Sequence, residues 1–140
     1  DEPPARLAYS EARAVAFANL AGAAYCSREA LEAWDCGSKC IQGVADVRVC
    51  SGSSTQAFVA LWEGHGLVSF EGTHTVWSMV QDLRTYKGNT QWDVCQGCGV
   101  HAGFLKEWES LRTCVEESLA AIGAPKGGLR VAGHSLGAGV

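Results

Sequence analysis

The sequence predicts an α/β fold, and three observations lead to this prediction. Apolar residues recur at helical spacing in two long segments, short runs rich in Val, Phe and Leu lie between them, and one further run follows the second segment. Strands that alternate with long helices are typical of a sheet covered by helices. Apolar residues make up 47% of the 140 residues and charged residues 19%, as in an ordinary globular protein. We therefore expect residues 1–140 to belong to a single domain.

The helices are predicted from the spacing of apolar residues and from the residues that begin and end helices. Ser10 can cap the first helix, because its hydroxyl can accept a hydrogen bond from an unpaired backbone N–H. The apolar positions of this helix are Ala14, Phe17, Ala18, Ala21 and Tyr25. A shorter helix is expected over 28–34. A second long helix is expected over 102–122, with a stop at Gly123 and Pro125. Its apolar positions are Phe104, Trp108, Leu111, Val115, Leu119 and Ile122.

Four short strands are predicted between and after the helices, over 45–50, 56–63, 67–70 and 129–132. The second and third strands are close enough to form a hairpin, because only Gly64-His65-Gly66 separates them. The last strand follows the second long helix directly, as in a sheet that has helices on its faces.

Charge and hydropathy narrow the classes of partner. The net charge is −4 and no run of Lys or Arg occurs, so we expect neither nucleic acid nor an anionic membrane surface as a partner. No apolar stretch approaches the roughly 20 residues of a transmembrane helix. The chain opens on Asp1-Glu2-Pro3-Pro4, with neither a Met nor the apolar segment of a signal peptide. We interpret it as a processed, secreted chain.

The cysteine content also favours secretion. Seven cysteines in 140 residues are more than a cytosolic enzyme usually contains, and oxidising compartments preserve disulfides. Zinc binding is the alternative interpretation, but only Cys95 and Cys98 have the two-residue gap of a zinc site, and no second pair follows them. Because seven is odd, one cysteine lacks a partner here or pairs outside this sequence. We expect no metal site.

The motif that indicates chemistry is Gly133-His134-Ser135-Leu136-Gly137, directly after the last predicted strand. A Ser hydroxyl is a poor nucleophile unless the protein holds it exposed beside a base. A sharp strand-to-helix turn with glycines on both sides holds a Ser in this way. The first N–H groups of the next helix can then point toward an oxyanion that forms beside the Ser. The pattern alone is weak, so its place between a strand and a run of small residues carries the prediction.

Three segments resemble the fungal-type class 3 lipases, which have the α/β-hydrolase fold. In chain order they are "LVSFEGTHTVWSMVQDL" over 67–83, "VHAGFLKEW" over 100–108 and "VAGHSLGAGV" over 131–140. The resemblance implies that Ser135 is the nucleophile and that the backbone N–H groups of Thr73 and Leu136 form the oxyanion hole. It also implies that Asp82 supports the hydroxyl of Thr73. The chain then resembles the N-terminal portion of such a domain, with an incomplete sheet, flanking helices and disulfides.

The resemblance further implies a lid after the oxyanion residue, over 74–80, that contacts substrate through His74, Val76, Trp77 and Met79. Two positions depart from the family pattern. Glu71 stands where Arg is common, and Ser78-Met79 stands where Asn-Trp is usual. Without the family, the apolar residues of this segment can equally be an ordinary buried helical turn. An apolar lid favours a lipid–water interface over a dissolved aromatic ester.

Cysteine positions agree with the resemblance, which implies two local disulfides, Cys36 with Cys40 and Cys95 with Cys98. It also implies that Cys26 pairs with a cysteine near the C-terminus of the full protein. Cys50 and Cys114 are left, and sequence alone does not decide whether they come within bonding distance of each other.

The catalytic acid and base are not found after the nucleophile. In this fold the triad follows the order Ser, acid, His, yet no acid and no His follow Ser135. The four His residues all precede it: His65, His74, His101 and His134. We expect His134 to point away from the Ser135 side chain and His101 to be structural, so the C-terminal remainder of the domain must supply the triad. A chymotrypsin-like order using His74 or His101 is the alternative, but that fold is all β.

The implied activity is hydrolysis of carboxylic esters through an acyl-enzyme, without a cofactor. The resemblance favours a secreted triacylglycerol lipase. A feruloyl or other small-ester esterase is an alternative, because the same fold and turn serve both. A third hypothesis is a non-catalytic fragment, such as one half of a two-chain protein. It would associate with a partner through the unpaired edge of its incomplete sheet.

Overall fold

The structure is a computed structural model of the 140-residue chain. It describes residues 8–73, 87–89, 98–125 and 128–140. The helices are α1 (Glu11–Ala23), α2 (Arg28–Glu32) and α3 (Ala102–Ala121). The strands are β1 (Val44–Ser51), β2 (Gln56–Trp62), β3 (His65–Phe70), β4 (Lys87–Asn89), β5 (Gly99–His101) and β6 (Leu129–Gly133). Short 3-10 helices cover Gly37–Lys39 and Ser135–Ala138.

The predicted helices and strands are present, with small shifts at their ends. Ser10 caps α1 as predicted, since its Oγ accepts from the N–H of Arg13 at 3.4 Å. The hairpin also forms, but its turn contains only Glu63 and Gly64, with φ values of 48° and 73°. Such a two-residue turn with positive φ matches the twist of antiparallel strands, so Trp62 pairs with His65 and β3 begins earlier than predicted.

The main sheet has the strand order β1-β2-β3-β6. The first three strands are antiparallel neighbours, whereas β3 and β6 are parallel and joined through α3. Strands β4 and β5 form a separate antiparallel pair. The described elements therefore form a mixed α/β structure with a partial sheet, which confirms the predicted fold class.

Helices cover both faces of this sheet. Against one face pack α1 and α2, around Leu20, Leu31, Phe58 and Leu67, all of them fully buried. Against the other face packs α3, whose Leu111 and Val115 contact Val59, Val68 and Phe70. Burial on both faces explains why β2 and β3 are almost continuously apolar rather than alternating.

A disulfide joins Cys50 of β1 to Cys114 of α3, with 5.7 Å between the Cα atoms. The pairing that the sequence left open is therefore formed. The bond closes a separation of 64 residues, and the chain-entropy model gives it about 4 kcal/mol of stabilisation. It fixes α3 to the sheet.

The local pairing of Cys36 with Cys40 is not formed in this structure, where both are free thiols. A third free thiol, Cys26, lies beside them, and the Cys36 thiol hydrogen-bonds with both neighbours. The N–H of Cys36 also donates to Cys40 Sγ at 2.9 Å. Burial and these hydrogen bonds raise the pKa of the Cys36 thiol. Cys98 is disulfide-bonded, but Cys95 lies outside the described residues, so their pairing stays a prediction.

Candidate active site

The predicted nucleophile lies at a sharp turn after β6. His134 continues the extended backbone of the strand, with φ −125° and ψ 141°, and Ser135 then adopts φ 57° and begins a 3-10 helix. A left-handed conformation costs a residue with a side chain about 1–2 kcal/mol, so the surrounding structure must hold it. Ser135 is half-buried at this turn. Sequence and structure therefore agree on a strand-to-helix turn centred on Ser135.

Close backbone packing explains the two glycines of the motif. A Cβ at Gly133 would collide with the carbonyl of Gly137, and a Cβ at Gly137 would collide with the carbonyls of Phe70 and Glu71. Any side chain at these positions would push the turn away from β3. The glycines thus keep Ser135 close to the strand that precedes the predicted oxyanion loop.

The segment Glu71-Gly72-Thr73 leaves β3 beside this turn. Phe70 pairs with Gly133 at the ends of the parallel strands, so the following residues meet at the same sheet edge. A Cβ at Gly72 would lie 3.3 Å from Ser135 Cβ, and Thr73 is the next residue. Thr73 and Leu136 are both half-buried at this edge. Asp82 and the predicted lid residues lie outside the described residues: His74, Val76, Trp77 and Met79.

Glu71, the first residue after β3, is anchored inside the protein. The residue is only 6% exposed, and its carboxylate accepts from the backbone N–H of Gln56 at 3.0 Å. Its own N–H donates to the carbonyl of Gln56 at 2.9 Å. The Gln56 side chain in turn donates to the carbonyls of Ala24 and Cys26. The carboxylate therefore ties the start of the oxyanion loop to β2 and to the end of α1.

Sequence reasoning missed one contributor to the site, Tyr25. Its hydroxyl lies 3.0 Å from Nδ1 of His134, the residue before the nucleophile. The helical spacing predicted Tyr25 as an apolar position of the first helix, but α1 ends at Ala23 and Tyr25 is half-buried just after it. A half-buried Tyr hydroxyl usually has a hydrogen-bond partner, but the sequence does not show which one.

His101 caps α3, which agrees with the structural role expected for it. Its Nδ1 accepts from the N–H of Gly103 at 3.2 Å, and its ring centroid lies 4.8 Å from that of Phe104. The Nε2 atom is buried and has no hydrogen-bond partner in the part of the chain that the structure describes. Phe104 also contacts the backbone near Gly139, so this pair lies close to the nucleophile turn.

An apolar cleft of about 680 Å³ lies between α3 and β6. Its lining includes Phe70, Trp108, Leu119, Val131, Ala138 and Val140. Leu129 and Val131 of β6 are 55% and 56% exposed here, unlike the other large apolar residues of the sheet. The cleft thus follows the edge strand that carries the nucleophile turn.

Two other kinds of site are absent from the described ranges. No cluster of three or more His, Cys, Asp or Glu side chains there is arranged to hold a metal ion. Among the same residues, no helix combines the length and the hydropathy required to cross a membrane.

The fold and the turn together define an α/β-hydrolase arrangement, in which a nucleophile turn follows a parallel strand. Comparison with known proteins gives the family. The family model described as "Lipase (class 3)" matches residues 67–140, and the chain belongs to this family. A search of curated proteins found no match.

Solved fungal lipases have the same fold. A lipase from Rhizopus microsporus var. chinensis is 26% identical with a TM-score of 0.65, and the match covers 98% of this chain and 53% of that one. Lipase II from Rhizopus niveus is 25% identical, with a TM-score of 0.64 and coverages of 94% and 53%. The Rhizomucor miehei triacylglyceride lipase is 20% identical, with a TM-score of 0.71 and the same coverages. The chain therefore spans about half the length of these lipases.

Proposed function

We propose that the protein is a secreted serine hydrolase of carboxylic esters that acts on triacylglycerols through an acyl-enzyme on Ser135. The observation that carries this proposal is the left-handed φ of 57° at Ser135, in a turn packed beside Gly72. Membership of the class 3 lipase family supports the same activity.

The proposed reaction is acyl transfer to Ser135 followed by hydrolysis. A His base removes the proton of the Ser135 hydroxyl while the oxygen attacks the ester carbonyl. The carbonyl oxygen becomes an oxyanion that accepts hydrogen bonds from the N–H groups of Thr73 and Leu136. The alcohol leaves with the proton from the base, and water then hydrolyses the acyl-enzyme and releases the acid. Each of these steps needs only side chains, backbone N–H groups and water.

We propose that the base is none of the described His residues, each of which has another contact. His134 bonds with Tyr25, and His101 Nδ1 accepts from Gly103. His65 Nδ1 donates to the carbonyl of Glu63 at the opposite end of β3. We propose that the base and its carboxylate follow Val140, in a C-terminal remainder that also covers the apolar cleft and pairs with β6. The half-length match to solved lipases supports this remainder.

The proposed substrate class and the proposed secretion of the protein are supported by two further observations. The segment after Thr73 is apolar around Trp77, which favours an emulsified lipid over a dissolved ester. The disulfide between Cys50 and Cys114 favours an oxidising compartment, as expected of a secreted protein.

The test compares the complete natural polypeptide with Ser135→Ala and with Ser38→Ala, an exposed Ser away from the turn. We expect the wild type and the Ser38 variant to hydrolyse emulsified triacylglycerol and to bind an organophosphonate covalently on Ser135. The Ser135 variant should do neither. Residues 1–140 expressed alone should be as inactive as Ser135→Ala, because they lack the base.

Three results would contradict the proposal. Hydrolysis that survives Ser135→Ala would exclude this nucleophile. Activity on methyl ferulate without activity on triacylglycerol would instead indicate a small-ester esterase. A complete polypeptide that neither hydrolyses esters nor takes the label would indicate a non-catalytic protein.

A further inference from the structure

Tyr25 connects two segments of the site that are far apart in the sequence. It follows α1, and its hydroxyl lies 3.0 Å from Nδ1 of His134, across a separation of 109 residues. The two ring centroids are 6.1 Å apart and the planes are tilted by 55°. His134 is exposed and directly precedes Ser135.

The same hydroxyl packs against the loop on the other side of the nucleophile. A Cβ at Gly72 would collide with the Tyr25 hydroxyl and would lie 2.5 Å from the carbonyl oxygen of His134. Three segments therefore meet at one point: the end of α1, the loop after β3 and the turn after β6. The absence of a side chain at Gly72 is what allows this close approach.

We propose that Tyr25 is a positioning residue of the active site, which holds the Ser135 turn and the Gly72-Thr73 loop at a fixed separation. This role rests on the function proposed above, since it concerns the distance between the nucleophile and an oxyanion donor. Tyr25 itself does not contact the reacting atoms in this assignment. It acts through His134 on one side and through Gly72 on the other.

The physical reason is the precision that oxyanion stabilisation requires. A donor must lie about 2.7–3.1 Å from the developing charge, and a displacement of about 1 Å can reduce the rate by about 100-fold. Removal of the hydroxyl leaves a gap between the turn and the loop, and it also releases His134. Ser135 has a strained φ, so its turn depends on such contacts to keep its position.

The effect should appear in kcat and not in KM. Oxyanion donors interact with charge that develops in the transition state, whereas substrate binding before the reaction does not use that charge. A purely structural role would instead lower the melting temperature, and it would reduce the apparent kcat only in proportion to the loss of folded protein, again without a change in KM.

The experiment uses Tyr25→Phe in the complete polypeptide, with a dissolved short-chain ester as substrate. Tyr9→Phe is the matched control, because Tyr9 is 84% exposed. We expect Tyr25→Phe to lower kcat about 10-fold, with an unchanged KM and an unchanged melting temperature. The imidazole ¹⁵N signals of His134 should shift in the same variant. Tyr9→Phe should change none of these quantities.

A second variant, His134→Ala, keeps the test valid if Tyr25→Phe folds poorly, because the His134 side chain is exposed. It should lower kcat by a similar factor, and the double variant should lose less than the product of the two factors. If Tyr25→Phe keeps the wild-type kcat while Ser135→Ala is inactive, Tyr25 is not a positioning residue. The proposed function is not affected by this result. Unshifted His134 signals would overturn it independently of activity. An inactive wild type would overturn the proposed function and this role together.

Discussion

Phe70 and Gly133 lie opposite each other as the last pair of the parallel strands β3 and β6. Parallel strands end at the same sheet edge, so the loop after Phe70 and the turn after Gly133 leave the sheet side by side. This pairing brings Gly72 next to Ser135 although 63 residues separate them in the chain. The proposed oxyanion loop and nucleophile therefore depend on one strand register.

Substitution of Gly137 by Ala tests how tightly this register is packed. The new Cβ would collide with the carbonyls of Phe70 and Glu71, so we expect unfolding free energy to fall by about 1–3 kcal/mol in a urea titration. Phosphonate labelling of Ser135 in the complete polypeptide should also slow. Gly22→Ala is the control, because its Cβ would lie 3.5 Å from Lys39 Cδ, an ordinary contact. Equal stability of the two variants would contradict the packing described here.

Glu107 should make stability depend on pH. It is buried in α3 and accepts four hydrogen bonds from the N–H and hydroxyl groups of Ser54 and Thr55, at 2.9–3.2 Å. Burial acts to raise the pKa of this carboxyl, but the hydrogen bonds outweigh it and hold the pKa below its ordinary value of 4.5. Because the folded-state pKa is the lower one, the stabilisation is complete above pH 4.5 and is lost as pH falls through the folded-state pKa.

The variant that tests this pH dependence is Glu107→Gln. Its amide N–H₂ would face backbone and hydroxyl donors and could not accept their hydrogen bonds. At pH 7 we expect it to lose about 1–3 kcal/mol of unfolding free energy, measured by urea titration. The difference from wild type should shrink in acid. Glu109→Gln, at an exposed position of the same helix, should change little. A difference that stays constant down to pH 3 would show that the carboxylate charge does not matter.

The three neighbouring thiols should form one disulfide on oxidation. Cys36 and Cys40 are joined by a single 3-10 turn and a contact between Cys36 N–H and Cys40 Sγ, whereas Cys26 approaches from α1. In a glutathione redox buffer we expect Cys36 to bond with Cys40 and Cys26 to remain open to alkylation. Peptide mapping of the 140-residue chain measures this directly. A peptide that links Cys26 to Cys36 would contradict the pairing, and Cys26→Ser should leave the expected product unchanged.

We predict that the segment after Thr73 contributes to activity at lipid–water interfaces. If Trp77 belongs to an apolar lid, Trp77→Ser in the complete polypeptide removes apolar surface that contacts emulsified lipid. We expect a loss of about 10-fold on emulsified long-chain esters and a much smaller loss on a dissolved short-chain ester. Trp34→Ser would be a poor control, because Trp34 packs against Phe58 in the core. Ser78→Ala, next to Trp77, should affect both substrates equally little.

The sequence by itself predicted the helices, the four strands of the main sheet and the turn at Ser135. Helical spacing, caps and short apolar runs are local patterns, and they correctly placed α1, α3 and the four strands of the main sheet. The turn at Ser135 was also predictable, because glycines on both sides of a Ser directly after a strand form a local signal.

Only the tertiary structure decided which distant residues meet. The pairing of β3 with β6 brought Gly72 beside Ser135, and the packing of α1 placed the Tyr25 hydroxyl against His134. The anchoring of Glu71 by Gln56 and the disulfide between Cys50 and Cys114 depend in the same way on strand order. Local periodicity shows that a residue faces the core, but it does not identify the residue that packs opposite it. Many strand orders and helix orientations bury the same apolar faces equally well, so the sequence pattern alone does not choose between them.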